Sequence, residues 1–344
     1  MKKIEDRIWE CIQGKVILIT GGTGFLGKTL ASRFLKYEPS ALRILSRDEV
    51  KHFQFNNLFG NNPRLRNLIG DVRDYERVLR ASEGADVVIH AAALKRIDMI
   101  EYNVAESIKT NVLGSLNVAN AAVKNDVLKA LFVSTDKACS PLNTYGACKL
   151  LGERIFTETN YSKGKSETVL SSVRYGNVLA STGSIIPFFK EKIENGEPIP
   201  LTHTKMTRFI ISADQAVDLV LKALVYSVGG EVIVPFIPSA RIVDIIDALK
   251  NMMAAENEIV EVGVRPGEKI DEILINEYEI PLTYRYGDIF AITSMVESYR
   301  KVETPVYQTK GEKLKPEKMK EYSSKDHLLS KDKLIEYLKK LELL

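Results

Sequence analysis

Short apolar runs recur along the first half of the chain, each bounded by polar or turn residues. They fall at 16–20 (VILIT), 42–46 (LRILS), 67–69 (NLI), 87–90 (VVIH) and 131–134 (LFVS). Runs this short and this continuously apolar suit strands buried on both faces, as in a parallel sheet. Helical patterns lie between several of them. Over 106–125, Ile108, Val112, Leu116, Ala119 and Val123 recur at three- and four-residue steps, which predicts one apolar helix face. Strand–helix alternation predicts an α/β fold with a doubly wound parallel sheet.

After about residue 178 the rhythm changes. Helices are expected at 184–195, 213–228 and 242–255, with a late strand at 231–234. Beyond Pro266 the chain reads as irregular, with a basic, solvated stretch at 310–320. Ser330 is a candidate N-cap for a last helix carrying Leu334, Tyr337, Leu338 and Leu341 on one face. The division expected is 1–178 as a nucleotide-binding domain, with returning elements at about 213–235. Residues 179–344 would then form mainly a smaller C-terminal substrate-binding lobe and a final helix.

Composition narrows the function classes. Among 344 residues, 45% are apolar and 27% charged, values of an ordinary globular chain. The 48 Lys+Arg against 45 Asp+Glu leave +3, too balanced for a dedicated nucleic-acid binder. No apolar run approaches the roughly 18–20 residues that span a membrane, and no signal-peptide core is visible. Cys11, Cys139 and Cys148 have no metal-type spacing, and the four histidines are scattered, so no metal is assigned. The expectation is a reduced, cytoplasmic protein.

The candidate chemistry begins at the first run. Thr20-Gly21-Gly22-Thr23-Gly24-Phe25-Leu26-Gly27 follows a strand and opens a helix. Glycines at three-residue steps allow a tight turn, a close approach of a pyrophosphate, and close helix–strand packing. The helix N-terminus adds free N–H groups for phosphates. About twenty residues further on, where an adenosine ribose is read, stand Arg47 and Asp48. Arg47 would accept a 2′-phosphate and favour NADP; Asp48 would hold a 2′-hydroxyl and favour NAD. Arg47 comes first and Lys51 lies nearby, so NADP is preferred. Asp71 and Val72 are placed for the adenine, and the small run from Ala91 for close passage of the cofactor. Tyr145 and Lys149, four residues apart, share one face of a helix expected to begin near Asn143. A nearby cation favours the phenolate of such a tyrosine, which can then take a proton from a substrate hydroxyl.

These features resemble the extended short-chain dehydrogenase/reductase family. Further segments occur in order: SRDE at 46–49, GDVRD at 70–74, HAAALK at 90–95, KTNVLGS at 109–115, STDKACSP at 134–141, YGACK at 145–149, RYGNV at 174–178, MTRF at 206–209 and RPGEK at 265–269. Together they resemble the inverting UDP-N-acetylglucosamine 4,6-dehydratases that begin pseudaminic acid synthesis. Retaining sugar-nucleotide dehydratases carry Asp-Glu where this chain has Asp136-Lys137.

The resemblance implies a Rossmann fold, NADP as cofactor, UDP-N-acetylglucosamine as substrate, and a homo-oligomer. It implies Tyr145 as base at the C4 hydroxyl, supported by Lys149, with Thr135 near C4. Lys137 would handle the C5 proton and Asp136 would protonate the departing C6 hydroxyl. Lys95 and Thr110 would line the cofactor side, and Lys95 the substrate as well. Asn177 would lie at the sugar–diphosphate, Val178 to Thr182 along the cofactor, and Thr207 or Arg208 with Arg265 and Glu268 at the UDP. Cys139 and Cys148 read as small packing residues. The cycle is chemically coherent: a C4 ketone acidifies C5–H, loss of that proton expels the C6 hydroxyl, and hydride returns to C6. Lysine serves as the C5 base if its pKa is lowered. Two competing readings are a 4-epimerase or dehydratase/epimerase of the same fold and, in a different class, a non-catalytic NADP sensor.

Overall fold

The apolar runs become β1 (Val16–Thr20), β2 (Ala41–Ser46), β3 (Leu65–Ile69), β4 (Val87–His90), β5 (Lys129–Val133) and β6 (Val169–Val173). In the computed structural model, which describes residues 3–179, 185–296, 304–341 and 343, they pair in parallel in the order β3-β2-β1-β4-β5-β6. Strand order reverses on either side of β1, and such a reversal opens a crevice at the carboxyl ends of the strands. Period-2 geometry sends alternate residues to opposite faces. Ile17 and Ile19 therefore join a core with Leu30 and Phe34 of the helix Phe25–Leu35. Leu18 joins a second core with Val88, Phe132 and Phe156. Helices thus cover both faces, as the alternation predicts.

The second half of the chain serves both lobe and sheet. β7 (Asn177–Val178), β8 (Ile199–Leu201) and β9 (Thr207–Ile211) leave the main sheet, and β10 (Val232–Pro235) returns to pair in parallel with β6. The helix Ala213–Tyr226, capped by Ser212, precedes that return. β11 (Ser239–Arg241) pairs with β9, and β12 (Ile259–Glu261) with β8. A lobe core forms around Phe189, Ile210, Ile245 and Ile246, closed by Leu334 and Leu338 of the last helix, Lys331–Lys340. Ser330 caps that helix as expected, its hydroxyl accepting from the Lys333 N–H.

Two expectations need correction. The stretch after Pro266 is not irregular. It forms β13 (Ile273–Ile275), β14 (Thr283–Tyr286), β15 (Ile289–Ile292), β16 (Glu312–Lys313) and β17 (Tyr322–Ser323). β15 pairs antiparallel with β10, and β14 and β16 extend the same edge, so the C-terminal half widens the main sheet as well as forming a lobe. Gly287, at φ +60°, makes the turn between β14 and β15. The second correction concerns 106–125. A π-helical turn at Ile108–Leu113 separates the helix Val104–Ser107 from the helix Gly114–Lys124. The extra residue per turn rotates the register. Ile108 faces outward, while Thr110, Asn111, Gly114 and Ser115 turn inward toward the crevice strands. Asn111 then bridges to the loop after β4, exchanging hydrogen bonds with Leu94 N–H and C=O at 2.8 Å each.

Candidate active site

The glycine turn sits at the strand-order reversal. Gly21 has φ +68°, and its N–H donates to the Leu45 carbonyl at 2.8 Å. A Cβ there would lie 2.7 Å from the Ala92 Cα, so the turn and the segment after β4 approach to backbone contact. A Cβ on Gly27 would run into the Gly22 backbone. Gly24 is the N-cap of the following helix, with Phe25 and Leu26 in its first turn. Thr23 is buried and donates to the Ser46 hydroxyl at 2.7 Å, tying the turn to the end of β2. A turn stripped of side chains at a helix N-terminus, walled by Ala91 and Ala92, fits a dinucleotide pyrophosphate.

Arg47 and Asp48 part company. Asp48 caps the helix Glu49–Phe59, its carboxylate accepting the Lys51 N–H at 3.0 Å. That hydrogen bond, with the Lys51 ammonium, holds the carboxyl below its usual range. Arg47 is 52% exposed and lies 3.5 Å from Asp71. Asp71 is also held by Arg73, through both its backbone N–H and its guanidinium. Val72 is buried, and a Cβ on Gly114 would lie 2.7 Å from its Cγ2. Thr110 is buried with no partner for its hydroxyl, and Lys95 is exposed. Val178 lies in β7; Thr182 lies outside the described residues.

The chain leaving β5 carries the reactive cluster. Thr135 is extended, and residues Asp136–Ala138 form a single 3₁₀ turn. Asp136 is 0% exposed. Its Oδ1 accepts from the Thr135 hydroxyl at 2.9 Å and the Lys137 ammonium at 3.1 Å, while its Oδ2 has no partner. Lys137 also donates to the Asn177 amide oxygen at 3.3 Å and lies 3.8 Å from the Glu272 carboxylate. Burial pushes the Lys137 pKa down, but Asp136 and Glu272 together outweigh it and raise it. The direction is opposite to the lowered pKa that was the condition for Lys137 to act as a base, and it favours the ammonium.

Asn143 caps the helix Thr144–Ser162 by accepting the Gly146 N–H at 2.8 Å, which brings Tyr145 and Lys149 to the cluster. Burial pushes the Tyr145 phenol up to about 12; the Lys137 ammonium and the Thr135 hydroxyl draw it back. Lys149 is buried, donates to the Val133 carbonyl at 2.7 Å and sits over the Phe132 ring. Burial brings its pKa down to about 8 against the pull of Glu153. Lys137 is thus a cation that favours the phenolate, beside the Lys149 or nicotinamide ring expected in that role.

A family model described as polysaccharide biosynthesis protein matches residues 17–294. The chain belongs to this family. A relative from Campylobacter jejuni named UDP-N-acetylglucosamine 4,6-dehydratase (inverting) is 44% identical over 286 residues, covering 83% of this chain and 84% of its own. One from Rickettsia massiliae named UDP-glucose 4-epimerase is 41% identical over 282 residues, covering 81% and 82%. The X-ray structure of Pen from Bacillus thuringiensis superposes with a TM-score of 0.89 at 36% identity, covering 97% of this chain and 99% of that one.

Arg265 (73% exposed) and Glu268 stand 3.9 Å apart on a loop tied to the Tyr145 helix, where Asn143 donates to the Gly267 carbonyl at 2.9 Å. Thr207 and Arg208 are engaged with the chain's own groups. Both are buried; Thr207 donates to Asp271, and Arg208 donates to the carbonyls of Thr207, Lys269 and Ile270. Cys139 and Cys148 are buried and free. Sequence reasoning missed Glu272, whose carboxylate completes the cluster around Lys137; the acidic pair Asp271-Glu272 just after RPGEK was the available signal. Among the described residues, no helix is long and apolar enough to cross a membrane, and no group of three His, Cys, Asp or Glu is placed to hold a metal.

Proposed function

We propose that this protein is a C5-inverting UDP-N-acetylglucosamine 4,6-dehydratase that uses NADP. The observation that carries the reading is Asp136, which has one oxygen bound to Thr135 and Lys137 and one buried oxygen left free. The turn at Gly21–Gly27 and the segment from Ala91 would hold the cofactor, which would supply a hydride acceptor for C4 and the hydride needed at C6. With the Asp48 carboxylate committed to a helix cap, Arg47 is the group left for the 2′ position, which supports NADP over NAD.

The protein's own groups manage the protons. Tyr145 takes the proton of the C4 hydroxyl. The Lys137 ammonium passes a proton to Asp136 Oδ1 along their 3.1 Å hydrogen bond, leaving an amine and a carboxylic acid. The amine removes C5–H, and the acid protonates the departing C6 hydroxyl, which leaves as water. The pair is then again ammonium and carboxylate. The ammonium next protonates C5 on the face opposite to the one that lost its hydrogen, giving a 4-keto-6-deoxy-L-arabino product. The proton gained by Tyr145 balances the one lost by Lys137, and both re-equilibrate with solvent. Thr135 and Asn177 orient the pair, and Arg265, Glu268 and Lys95 would meet the UDP-sugar. Homo-oligomerisation is supported by exposed apolar side chains on neighbouring helices, among them Met99, Tyr102, Val104 and Ile108. A water-soluble nucleotide sugar and NADP point to the cytoplasm as the place of action.

A 4-epimerase is the second reading, favoured by the name of the Rickettsia relative. An epimerase needs no acid at C6 and no base at C5, and Asp136 and Lys137 would then have no task. Incubation with UDP-N-acetylglucosamine, followed by NMR, separates the two. The dehydratase yields a C6 methyl group, a C4 ketone and, in D₂O, deuterium at C5. A product retaining its C6 hydroxymethyl group overturns the reading; a D-xylo ketone overturns inversion alone.

A further inference from the structure

We propose that Glu272 is the positioning residue of Lys137: its carboxylate, brought from the C-terminal half of the chain, holds the ammonium opposite Asp136 and keeps it charged for proton delivery to C5. The C5 step belongs to the reaction proposed above, and to that extent the inference rests on that reading.

Glu272 is 2% exposed. Its Oε1 lies 3.8 Å from Lys137 Nζ and 3.7 Å from Arg208 Nε, and its buried Oε2 has no partner. An incompletely paired buried carboxylate is costly, and here it sits beside the reactive cluster. Its backbone is fixed from two directions. The Glu272 N–H donates to the Ser324 hydroxyl at 2.9 Å, and the Ser324 N–H donates to the Glu272 carbonyl at 2.8 Å. The Thr207 hydroxyl lies 2.6 Å from that of Ser324. Arg208 spends its terminal nitrogens on backbone carbonyls and turns only Nε toward Glu272. The lobe thus places Arg208, Arg208 places Glu272, and Glu272 places Lys137.

The charged and titratable groups around Lys137 are Asp136 on its own turn, Glu272 before β13, Arg208 on β9 and the Tyr145 phenol on the adjoining helix. Lys269 also acts on Glu272, with its Nζ held 2.5 Å from the Cys139 carbonyl. Burial and the neighbouring Asp136 raise the Glu272 pKa, against the pull of Lys137, Arg208 and Lys269; when Glu272 is ionised, it and Asp136 face these three cations. Without it, Lys137 and Arg208 share Asp136 alone, and Lys137 releases its proton more readily.

The test is a Glu272→Gln variant, which keeps the size and removes the charge. The Lys137 titration is read by NMR of the lysine side chain in the full-length protein without substrate, assigned with Lys137→Arg. An opposite charge at this range is worth about 1–3 pKa units. The Lys137 midpoint should therefore fall by about one unit or more, and Glu272→Asp should restore part of it. With substrate, Glu272→Gln should keep KM within threefold, keep C4 oxidation and water elimination, and lose about tenfold or more in the protonation of C5 that completes the product, with the pH profile displaced in the same sense as the titration. If Glu272→Gln does not fold, Glu272→Asp decides, since a retracted carboxylate must still lower the midpoint measurably. An unmoved midpoint in a folded variant overturns the role of Glu272. A parent enzyme that forms no methyl product overturns the dehydratase reading alone.

Discussion

Gly146 lies where the helix bearing Tyr145 meets the turn bearing Asp136 and Lys137. A Cβ added there would overlap the Lys137 carbonyl oxygen and come within 3.0 Å of Pro141 Cβ and the Lys137 carbonyl carbon. Ordinary contact begins at 3.4 Å, so Gly146→Ala must drive helix and turn apart by about 1 Å. The Asn143 cap limits where the helix can go, because it holds the Gly146 N–H at 2.8 Å. Overpacking of this kind costs about 1–3 kcal/mol in stability. A misplacement of about 1 Å between reacting groups costs about 10²-fold in rate. Turnover should therefore fall about a hundredfold in a variant that still folds and still binds NADP within threefold, since the glycine turn is untouched. Ala147→Ser, on the exposed side of the same helix turn, is the control and should be near neutral. A Gly146→Ala enzyme within threefold of the parent rate would show that the spacing between Tyr145 and Lys137 does not govern the chemistry.

Tyr145→Phe should retain cofactor and UDP binding and lose about 10²–10⁴-fold in turnover; a rate within threefold of the parent removes Tyr145 from the mechanism. Arg47→Ala should erode a preference for NADP over NAD, measured by binding of both; a parent that binds NAD as tightly contradicts the assignment. Lys137→Ala should block water elimination while leaving some C4 oxidation, seen as bound reduced cofactor. His90 is fully buried, bonded to Thr20 and Ser115, and burial, reinforced by Lys149, takes its pKa down to about 3 from 6.5. Its unfolded form therefore binds the extra proton below about pH 6.5, and stability falls by about 1.4 kcal/mol per pH unit from there toward pH 3. Urea unfolding at pH 6.5 and pH 5 should show about 2 kcal/mol of this loss, and His90→Gln should lack it.

The parts of the site legible in the sequence are those set by local geometry. A strand, a glycine turn and a helix N-terminus lie within twelve residues of one another, and Tyr145 and Lys149 share a helix face by spacing alone. Asp136 and Lys137 are adjacent, so their pairing needs no tertiary information. What escaped depends on distant segments. Periodicity put Ile108 inside, but a π turn rotates it out and brings Thr110 and Asn111 in. The carbonyl partners of Arg208 come from Thr207, Lys269 and Ile270, and the last two lie some sixty positions away. The second carboxylate that raises the Lys137 pKa, after Asp136, is Glu272, 135 positions away, and no spacing rule links the two. β14 and β15 were missed because their runs, TYRY and IFAI, are short and follow a polar stretch.

The bond between Ser324 and Glu272 also sets a schedule. A ribosome adds roughly 5–20 residues per second, so Ser324 emerges roughly 10–40 s after Thr135 and Asp136. During that interval the nucleotide-binding half is already made, with its glycine turn, Tyr145 and Lys149 in place. The segment that carries Glu272 still lacks the hydroxyl and amide that pin it. A chain that ends before Ser324 therefore carries the glycine turn, Tyr145 and Lys149 but lacks the groups that pin the second carboxylate beside Lys137.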